Sequence, residues 1–555
     1  MLSRFLLLLV TLVTLAAADS ADETARKNLV EAITSEDFDR QSELIRGFVT
    51  SSDSHVHQTL SAWRGGMVYI LETNNTKIPI ILEAETDNEG KAAAVLVSNG
   101  APLSADGKRI RFSSNDLTPA DTTSKLRKAL KATLDLLALN NPNPKMRRDA
   151  VIKLGQEQNA DYVPFFRDSA TREKDKEVVR ALKEAIAVTQ ILSTDPAEKV
   201  EAITQLGKLR SINYISFLTQ LQTEARTAPD KLDDQTMEAL RSSIVAIETY
   251  QWWGNFFGTA FRGLSLAAVL LVAALGLAIT FGLMGVINMA HGEIIMIGAY
   301  TTYVTQNIFK SWAGTNQALV DYYFLPAILF SFLVAGGVGL ILERGIIRFL
   351  YKRPLESLLA TWGVSLVLQQ LFRSLFGAAN VQVNSPGWLS GSLVISDVLL
   401  GNNRMFIIAF AIFIVLMTYL LLTRTSLGLQ IRAVMQNRRM ASALGVRTER
   451  VNMMTFAFGS GLAGMAGACL AQIGNVNPGL GQNYIVDCFM VVVLGGVGNL
   501  VGTVSASMGI GVTDQLLQPW LGAVLGKITV LSAIILFLQW RPAGLFVTRS
   551  RTLEG

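Results

Sequence analysis

LSLAAVLLVAALGLAITFGLMGVINMAHGEIIMIGAY, residues 264–300, decides the fold. No charge interrupts it from Leu264 to Ala290, and a helix of about 20 apolar residues is what the hydrocarbon core of a bilayer requires. It is then broken by Asn288-Met289-Ala290-His291-Gly292-Glu293 before apolar residues resume. Counting 264–286 and 289–309 as the first two, comparable stretches occur at 324–342, 357–376, 405–423, 453–473, 484–512 and 524–540. One such run could be the core of a large soluble domain; about eight in succession predict an all-α polytopic membrane bundle.

Charge is distributed to match. The 555 residues are 50% hydrophobic and 17% charged, and the charge is concentrated in residues 19–250 and in short clusters between the apolar runs. The net charge of +5 therefore reads as membrane orientation. A basic stripe interleaved with aromatics, the footprint of nucleic-acid binding, is missing from the sequence, so no nucleic-acid partner is expected. Cys469 and Cys488 both sit in apolar runs and lack metal-ligand spacing, which argues against a disulfide framework and a zinc site.

Residues 1–18 read as a signal peptide: Arg4, a short apolar run from Phe5 to Leu15, then Ala16-Ala17-Ala18. Cleaved or retained as an anchor, it delivers the adjoining domain to the outside. Residues 19–250 are then an exported, mostly helical domain with a β-prone patch from Met67 to Phe112. A repeat runs through it. Asn143-Pro144, Ala150, Leu154-Gly155, Tyr162 and Phe165 recur as Asp195-Pro196, Ala202, Leu206-Gly207, Tyr214 and Phe217, a period of about fifty residues close to that of HEAT-like helix pairs. Proline suits the first helical turn, and Leu-Gly predicts a helix end with glycine in the left-handed cap. His55 and His57 lie in a Ser/Asp-rich stretch and read as solvated loop residues. Residues 251–262 read as a linker, 263–548 as the membrane domain and 549–555 as its tail.

Arginine and lysine orient the bundle. Arg344, Arg348, Lys352 and Arg353, then Arg424 to Arg450, then Arg541, Arg549 and Arg551 are expected inside, while Gly377–Asn403 carries no Lys or Arg and is expected outside. This gives a multi-pass protein of a bacterial inner membrane with a periplasmic N-terminal domain and a cytoplasmic C-terminus. The alternation fails by one crossing after Ile473 unless 484–512 returns to the side it came from. Gly495-Gly496-Val497-Gly498-Asn499 supplies the breaker, predicting a broken or re-entrant helix.

Polar residues inside the apolar half are the candidates for a solute path. Asn288 and His291 share a helical face; Glu293 stands off it. The cluster admits two readings, pathway lining or bracing at the inner interface. Thr361, Asn475 and Asn477 add a hydroxyl and amides suited to a small neutral solute. Asp487 and Lys527 read as positional groups near segment ends. Gly459, Gly461, Gly464 and Gly467 read as close helix packing. Residues 522–529, GAVLGKIT, miss the spacing of a phosphate-binding loop, so ATP and magnesium would be bound by partner chains and no cofactor by this one. The basic segment 423–451 carries Ala433, Val434, Ala441, Leu444 and Val446, an apolar side suited to a partner's groove. No nucleophile and base arrangement is legible, so an enzyme is not expected. The remaining rival reading is a membrane-anchored receptor or assembly module.

Five motifs in order resemble the LivH-type permeases of branched-chain amino acid and amide ABC importers: GVINMAHGEIIMIGAYTTY at 285–303, LERGIIRFLYKRPLESLLATWGVSL at 342–366, SLGLQIRAVMQNRRMASALGV at 426–446, VVLGGVGNLVGT at 492–503 and RPAGLF at 541–546. The resemblance covers about residues 262–548. It implies an ATPase-coupling element at 426–446, with Arg432, Arg438, Arg439, Ala441, Ala443 and Gly445. It also implies a homologous second permease subunit, two ATP-binding subunits and a periplasmic solute-binding protein. Within the group the chain looks like the urea-importer permeases, on the strength of its long exported extension and of Val383–Trp388. On that resemblance urea or a similar small amide is the expected solute, with amino acids as the alternative.

Overall fold

The computed structural model describes residues 23–51, 53–73, 76–87, 90–105, 108–120, 122–227, 233–314, 320–351, 353–395, 397–542 and 544–546. The expected signal peptide and tail, with Lys352, Arg549 and Arg551, lie outside them. The chain divides into two compact units, Met1–Gln251 and Trp252–Gly555.

In the first unit, side chains that cap helices set the element boundaries. Asp37, Asp53, Thr123, Asn143, Asp175 and Asp195 each accept a hydrogen bond from a first-turn N–H. The β-prone patch forms a five-stranded sheet, mainly antiparallel pairs of Val68–Thr73 with Thr76–Thr86 and of the latter with Ala92–Leu96. His55 is not in a loop. The Asp53 cap starts a helix at Ser54–Arg64, and His55 Nε2 lies 2.8 Å from the carbonyl oxygen of Val97.

Both copies of the repeat are built alike. Each opens on a capped Pro at the first turn, Pro144–Gln156 and Pro196–Leu209, and each closes through a short turn holding a buried tyrosine, Tyr162 or Tyr214. The glycines, however, are not caps. Gly155 and Gly207 stay inside their helices, and the left-handed positions fall on Gln158 and Arg210 instead. A Cβ on Gly155 would come within 2.8 Å of the Ala185 Cβ, and one on Gly207 within 2.8 Å of the Ser243 Cβ. Glycine is there because a helix further along the chain, Lys176–Gln190 or Asp234–Met284, presses on it.

The second unit begins at Trp252, inside helix α1 (Asp234–Met284), so the expected linker 251–262 is helical throughout. After it come α2 (His291–Ala313), α3 (Phe324–Gly345), α4 (Pro354–Phe376), α5 (Asn402–Arg424), α6 (Ser426–Gln436), α7 (Arg438–Ala443), α8 (Thr448–Ala471), α9 (Leu480–Gly495) and α10 (Leu500–Trp540). Among the described residues six helices are long and apolar enough to cross a membrane: α1, α3 extended to Phe349, α4 from Leu355, α5, α8 and α10. The run 484–512, expected to be broken or re-entrant, is two helices. Gly496 and Gly498 take positive φ, Asn499 caps α10 through the Gly502 N–H at 3.0 Å, and Gly495 lies against Gly502 as the chain doubles back. α10 is itself interrupted at Gly522 (φ 80°), after which Gly526 lies beside Leu517 and Gln518. The segment 524–540 therefore runs back along the first part of α10.

α8 is the centre of this unit: nearly every residue from Gly459 to Ala471 is buried. Small residues let its neighbours reach its backbone. Gly298 of α2 meets Gly464, Gly467 meets the Ile295 carbonyl, Gly459 meets Gly276 of α1, and Gly339 of α3 meets Ser460.

Two outcomes test these assignments. Gly298→Ala would drive a methyl into the Gly464 backbone; a cost of about 1–3 kcal/mol is expected, read as a lower melting temperature of the detergent-solubilised chain. In the first unit, hydrogen bonds from Arg147 at 2.7 and 2.8 Å hold the Glu173 carboxyl down to about 2. A depressed carboxylate stabilises above its unfolded value and loses that contribution as pH falls. Glu173→Gln should therefore destabilise this unit by roughly 1–3 kcal/mol at neutral pH, and the gap to wild type should close between about pH 4.5 and 2 in pH-dependent thermal melts.

Candidate functional site

α1 ends at Met284, Gly285 turns with φ +62°, and residues 285–290 leave the helix. The chain does not emerge at the end of α1. It doubles back, so that His291 Nε2 lies 3.0 Å from the carbonyl oxygen of Ala273, and a Cβ on Gly276 would sit 3.2 Å from His291 Cε1. Ala273 precedes the end of α1 by eleven residues, about 16 Å along the axis. α2 thus starts within the bundle, and the expectation of a turn at the inner interface is replaced by a re-entrant one.

Side chains satisfy the unwound backbone. Asn288 Oδ1 accepts the Ala290 N–H at 3.1 Å, and its carbonyl accepts the His291 N–H at 3.4 Å. Thr361 of α4 accepts the Met289 N–H at 3.1 Å and donates to the Ser357 carbonyl at 2.8 Å. Glu293 accepts from Gln369 of α4 at 2.6 Å. Since a carbonyl only accepts, His291 carries its proton on Nε2, which leaves Nδ1 an acceptor. That Nδ1, and the donor Asn288 Nδ2, are buried and have no partner among the described residues.

The start of α9 closes the site from the other side. Asn477 Oδ1 accepts the Gly479 N–H at 2.9 Å and its carbonyl accepts the Leu480 N–H at 3.1 Å. Gly481 and Gly292, each the second residue of its helix, then touch backbone to backbone; a Cβ on Gly292 would lie 2.6 Å from the Gly481 carbonyl oxygen. The first turns of two helices meet within the bundle.

Of the expected path residues, Asn288, His291, Glu293 and Thr361 are brought together, and Asn477 stands one turn from the Gly292–Gly481 contact. Asn475 is exposed beside the Val381–Val476 bridge, apart from that cluster. The breaker Gly495, Gly496, Gly498 and Asn499 is a separate feature: Gly498 packs on Gly282, and Leu545 of the RPAGLF motif donates to the Leu494 carbonyl at 2.7 Å. Gln369 escaped the sequence reading, although Gln369-Gln370 in the middle of an apolar helix was a signal. Asp487 and Lys527 pair with each other at 3.0 Å.

The basic segment 423–451 folds as α6 and α7. Asn437 caps α7, and Gly445 (φ +88°) ends it, with Val446 N–H donating to the Ala441 carbonyl. The apolar side expected to face a partner is partly turned inward: Val434 and Ala441 pack with Ile431 and Val451, and Ala433 and Val446 lie against them. Leu444 is exposed as expected, and it is joined by Leu429 and Met440. Ala443 is exposed; Arg438 lies over the Tyr351 ring at 4.9 Å; Arg432 donates to the Leu422 carbonyl; Arg439 is exposed. The stretch 383–388 is held by Gln306 and Tyr323, which donate to the Asn384 carbonyl, and by Trp388 Nε1, which donates to that of Asp321.

Residues 259–539 match the family described as branched-chain amino acid transport system / permease component. The high-affinity branched-chain amino acid permease LivH of Salmonella typhimurium is 28% identical over 298 residues, 52% of this chain and 95% of that protein. BraD of Pseudomonas aeruginosa, named for the same transport, is 26% identical over 291 residues, 51% of this chain and 93% of that protein. LsrC of Salmonella paratyphi B, an autoinducer 2 import permease, is 26% identical over 231 residues, 38% of this chain and 63% of that protein. No solved structure matches.

Thr361→Val removes the acceptor for Met289 N–H with little change of shape. A loss of about 1–3 kcal/mol is expected for the buried donor left behind, measured as a drop in thermal stability, with α2 the first helix to lose protection in hydrogen exchange.

Proposed function

Since the chain belongs to the family of permease components of branched-chain amino acid transport systems, we propose that it is the solute conduit of an ATP-driven importer and that its solute is a branched-chain or similar amino acid. It is a multi-pass membrane protein whose family works beside ATPases and a solute-binding protein. The supporting observation is the re-entrant segment 285–290, which carries Asn288 and His291 into an apolar bundle with unpaired polar atoms. Transporters place solute where helices are interrupted at depth, because backbone and polar side chains are exposed there to a cavity rather than to lipid.

The coupling element is α6–α7, with Leu429, Met440 and Leu444 as the apolar contacts to an ATPase groove and Arg432, Arg438 and Arg439 around them. The loops at 345–353 and 424–447 are basic and face the cytoplasm, with residues 19–250 in the periplasm. A second permease subunit, two ATPases and a periplasmic binding protein complete the importer.

Urea is the second reading. One observation favours it: about 250 residues precede the matched region, an extension on which the likeness to urea-importer permeases rests. Cells lacking this chain, complemented with it, separate the two by uptake of radiolabelled leucine and urea. Leucine-type uptake is expected; urea uptake insensitive to leucine would replace the amino-acid reading. The purified chain alone is expected to hydrolyse no ATP.

A further inference from the structure

Two helices begin at one point inside the second unit. α2 and α9 meet through Gly292 and Gly481, and neither has a side chain capping its N-terminus. Each helix start carries roughly half a positive elementary charge and N–H groups without intrahelical acceptors. Bringing two such ends together in an apolar surrounding is unfavourable unless something negative is near. The first turn of α2 holds Glu293, 1% exposed, and the first turn of α9 holds no acidic residue. Two half-charges and one carboxylate sum to about zero.

The polar atoms left over are of both kinds. Asn288 is 2% exposed; its Oδ1 is bonded at the start of α2, which holds Nδ2, on the same amide, at that helix end with no acceptor. His291 is 1% exposed and its Nδ1 has no donor. The unmet donor Asn288 Nδ2 adjoins a junction whose charges already cancel, while the His291 ring is turned to the Ala273 carbonyl of α1.

We infer that the α2–α9 junction is a charge-balanced site that takes a net-neutral, strongly dipolar solute, an α-amino acid zwitterion, with Glu293 as the counter-charge that excludes net-charged analogues. This rests on the amino-acid reading above. The solute carboxylate belongs with the helix starts and Asn288 Nδ2; the ammonium belongs with Glu293. A net charge brought there has no counter-charge and stays in water. The Gly292–Gly481 contact closes the junction. With no side chains interleaved, it parts at little packing cost when the bundle changes access.

The test isolates the permease from its delivery protein. The purified importer complex, without solute-binding protein, is dialysed against radiolabelled leucine, leucinamide (cationic at about pH 6.5, below the α-amino range) and 4-methyl-2-oxopentanoate, the anion lacking the ammonium. Wild type is expected to prefer leucine to both by roughly tenfold or more, the effect of one uncompensated charge at low dielectric. Glu293→Gln keeps an acceptor for Gln369, leaves the junction positive, and should shift the ratio toward the oxo acid by roughly tenfold. Asn288→Asp keeps the Oδ1 acceptor, makes the junction negative, and should shift it as far toward leucinamide. Opposite shifts support the site. An unchanged order, an equal loss for all three solutes, or no binding to wild type overturns it, and either variant suffices if the other does not accumulate. Leucine uptake by cells with an unchanged order in dialysis sinks this inference alone; urea uptake without leucine uptake sinks the amino-acid reading with it.

Discussion

A backbone that leaves the helix inside an apolar bundle has to find hydrogen-bond partners among side chains, since neither lipid nor packed helices offer water. The second unit is arranged around that demand at residues 285–290. Asn288 supplies an acceptor from its side chain and another from its carbonyl, and Thr361 supplies a third from α4. His291 in turn reaches back to the Ala273 carbonyl of α1. α1, α2 and α4 are therefore tied by the same few bonds that permit the break, and moving any one of the three helices disturbs the polar groups at the start of α2.

The rigid member is α8. Glycines at 459, 464 and 467 bring α1, α2 and α3 to its backbone, so little can slide between them. The helix starts at Thr448, directly after α6 and α7, and Arg348 at the end of α3 pairs with Glu449 in its first turn at 3.1 Å. Val451 of α8 packs with Ile431, Val434 and Ala441 of the two short helices. A push on α6–α7 is thus delivered to the base of α8, and α8 contacts α2 at Gly298, within about three turns of Asn288. That is a continuous packed route between α6–α7 and the polar cluster.

Much of this was legible. The apolar runs, the polar cluster, the breaker at 495–499 and the glycine packing of 459–467 all derive from local composition; the count of spans did not, since about eight were expected and six helices among the described residues qualify. Depth did not. Asn288 to Glu293 admitted both pathway lining and bracing at the inner interface, because alternation of loops counts crossings but says nothing of how far a connection folds back. The same limit hid α9: Leu480 and Gly481 gave no sign that they meet Gly292, since that contact joins residues far apart in sequence. Gly155 and Gly207 misled for a related reason. At a helix end glycine serves either a left-handed turn or a close neighbour, and only the neighbour, Ala185 or Ser243, decides. In α6–α7, four of the five apolar residues read as one docking side, Ala433, Val434, Ala441 and Val446, pack inward to hold the two short helices together, and Leu444 alone of them is exposed.

Capping separates structural helix starts from the two at the junction. In the first unit Asp, Asn and Thr side chains cap helix after helix, and in the second Thr425, Asn437 and Asn499 cap α6, α7 and α10. α3, α4, α5 and α8 lack a side-chain cap, but they begin next to the loops that join the spans, where water or headgroups can take up the free N–H groups. α2 and α9 lack one too and begin against each other inside the bundle. Their first N–H groups are met by backbone instead: the Asn288 and Asn477 carbonyls accept those of His291 and Leu480, and the Gly479 carbonyl accepts that of Gln482. The side chains that make those turns, Asn288 and Asn477, hold the backbone on the approach to each helix rather than inside its first turn.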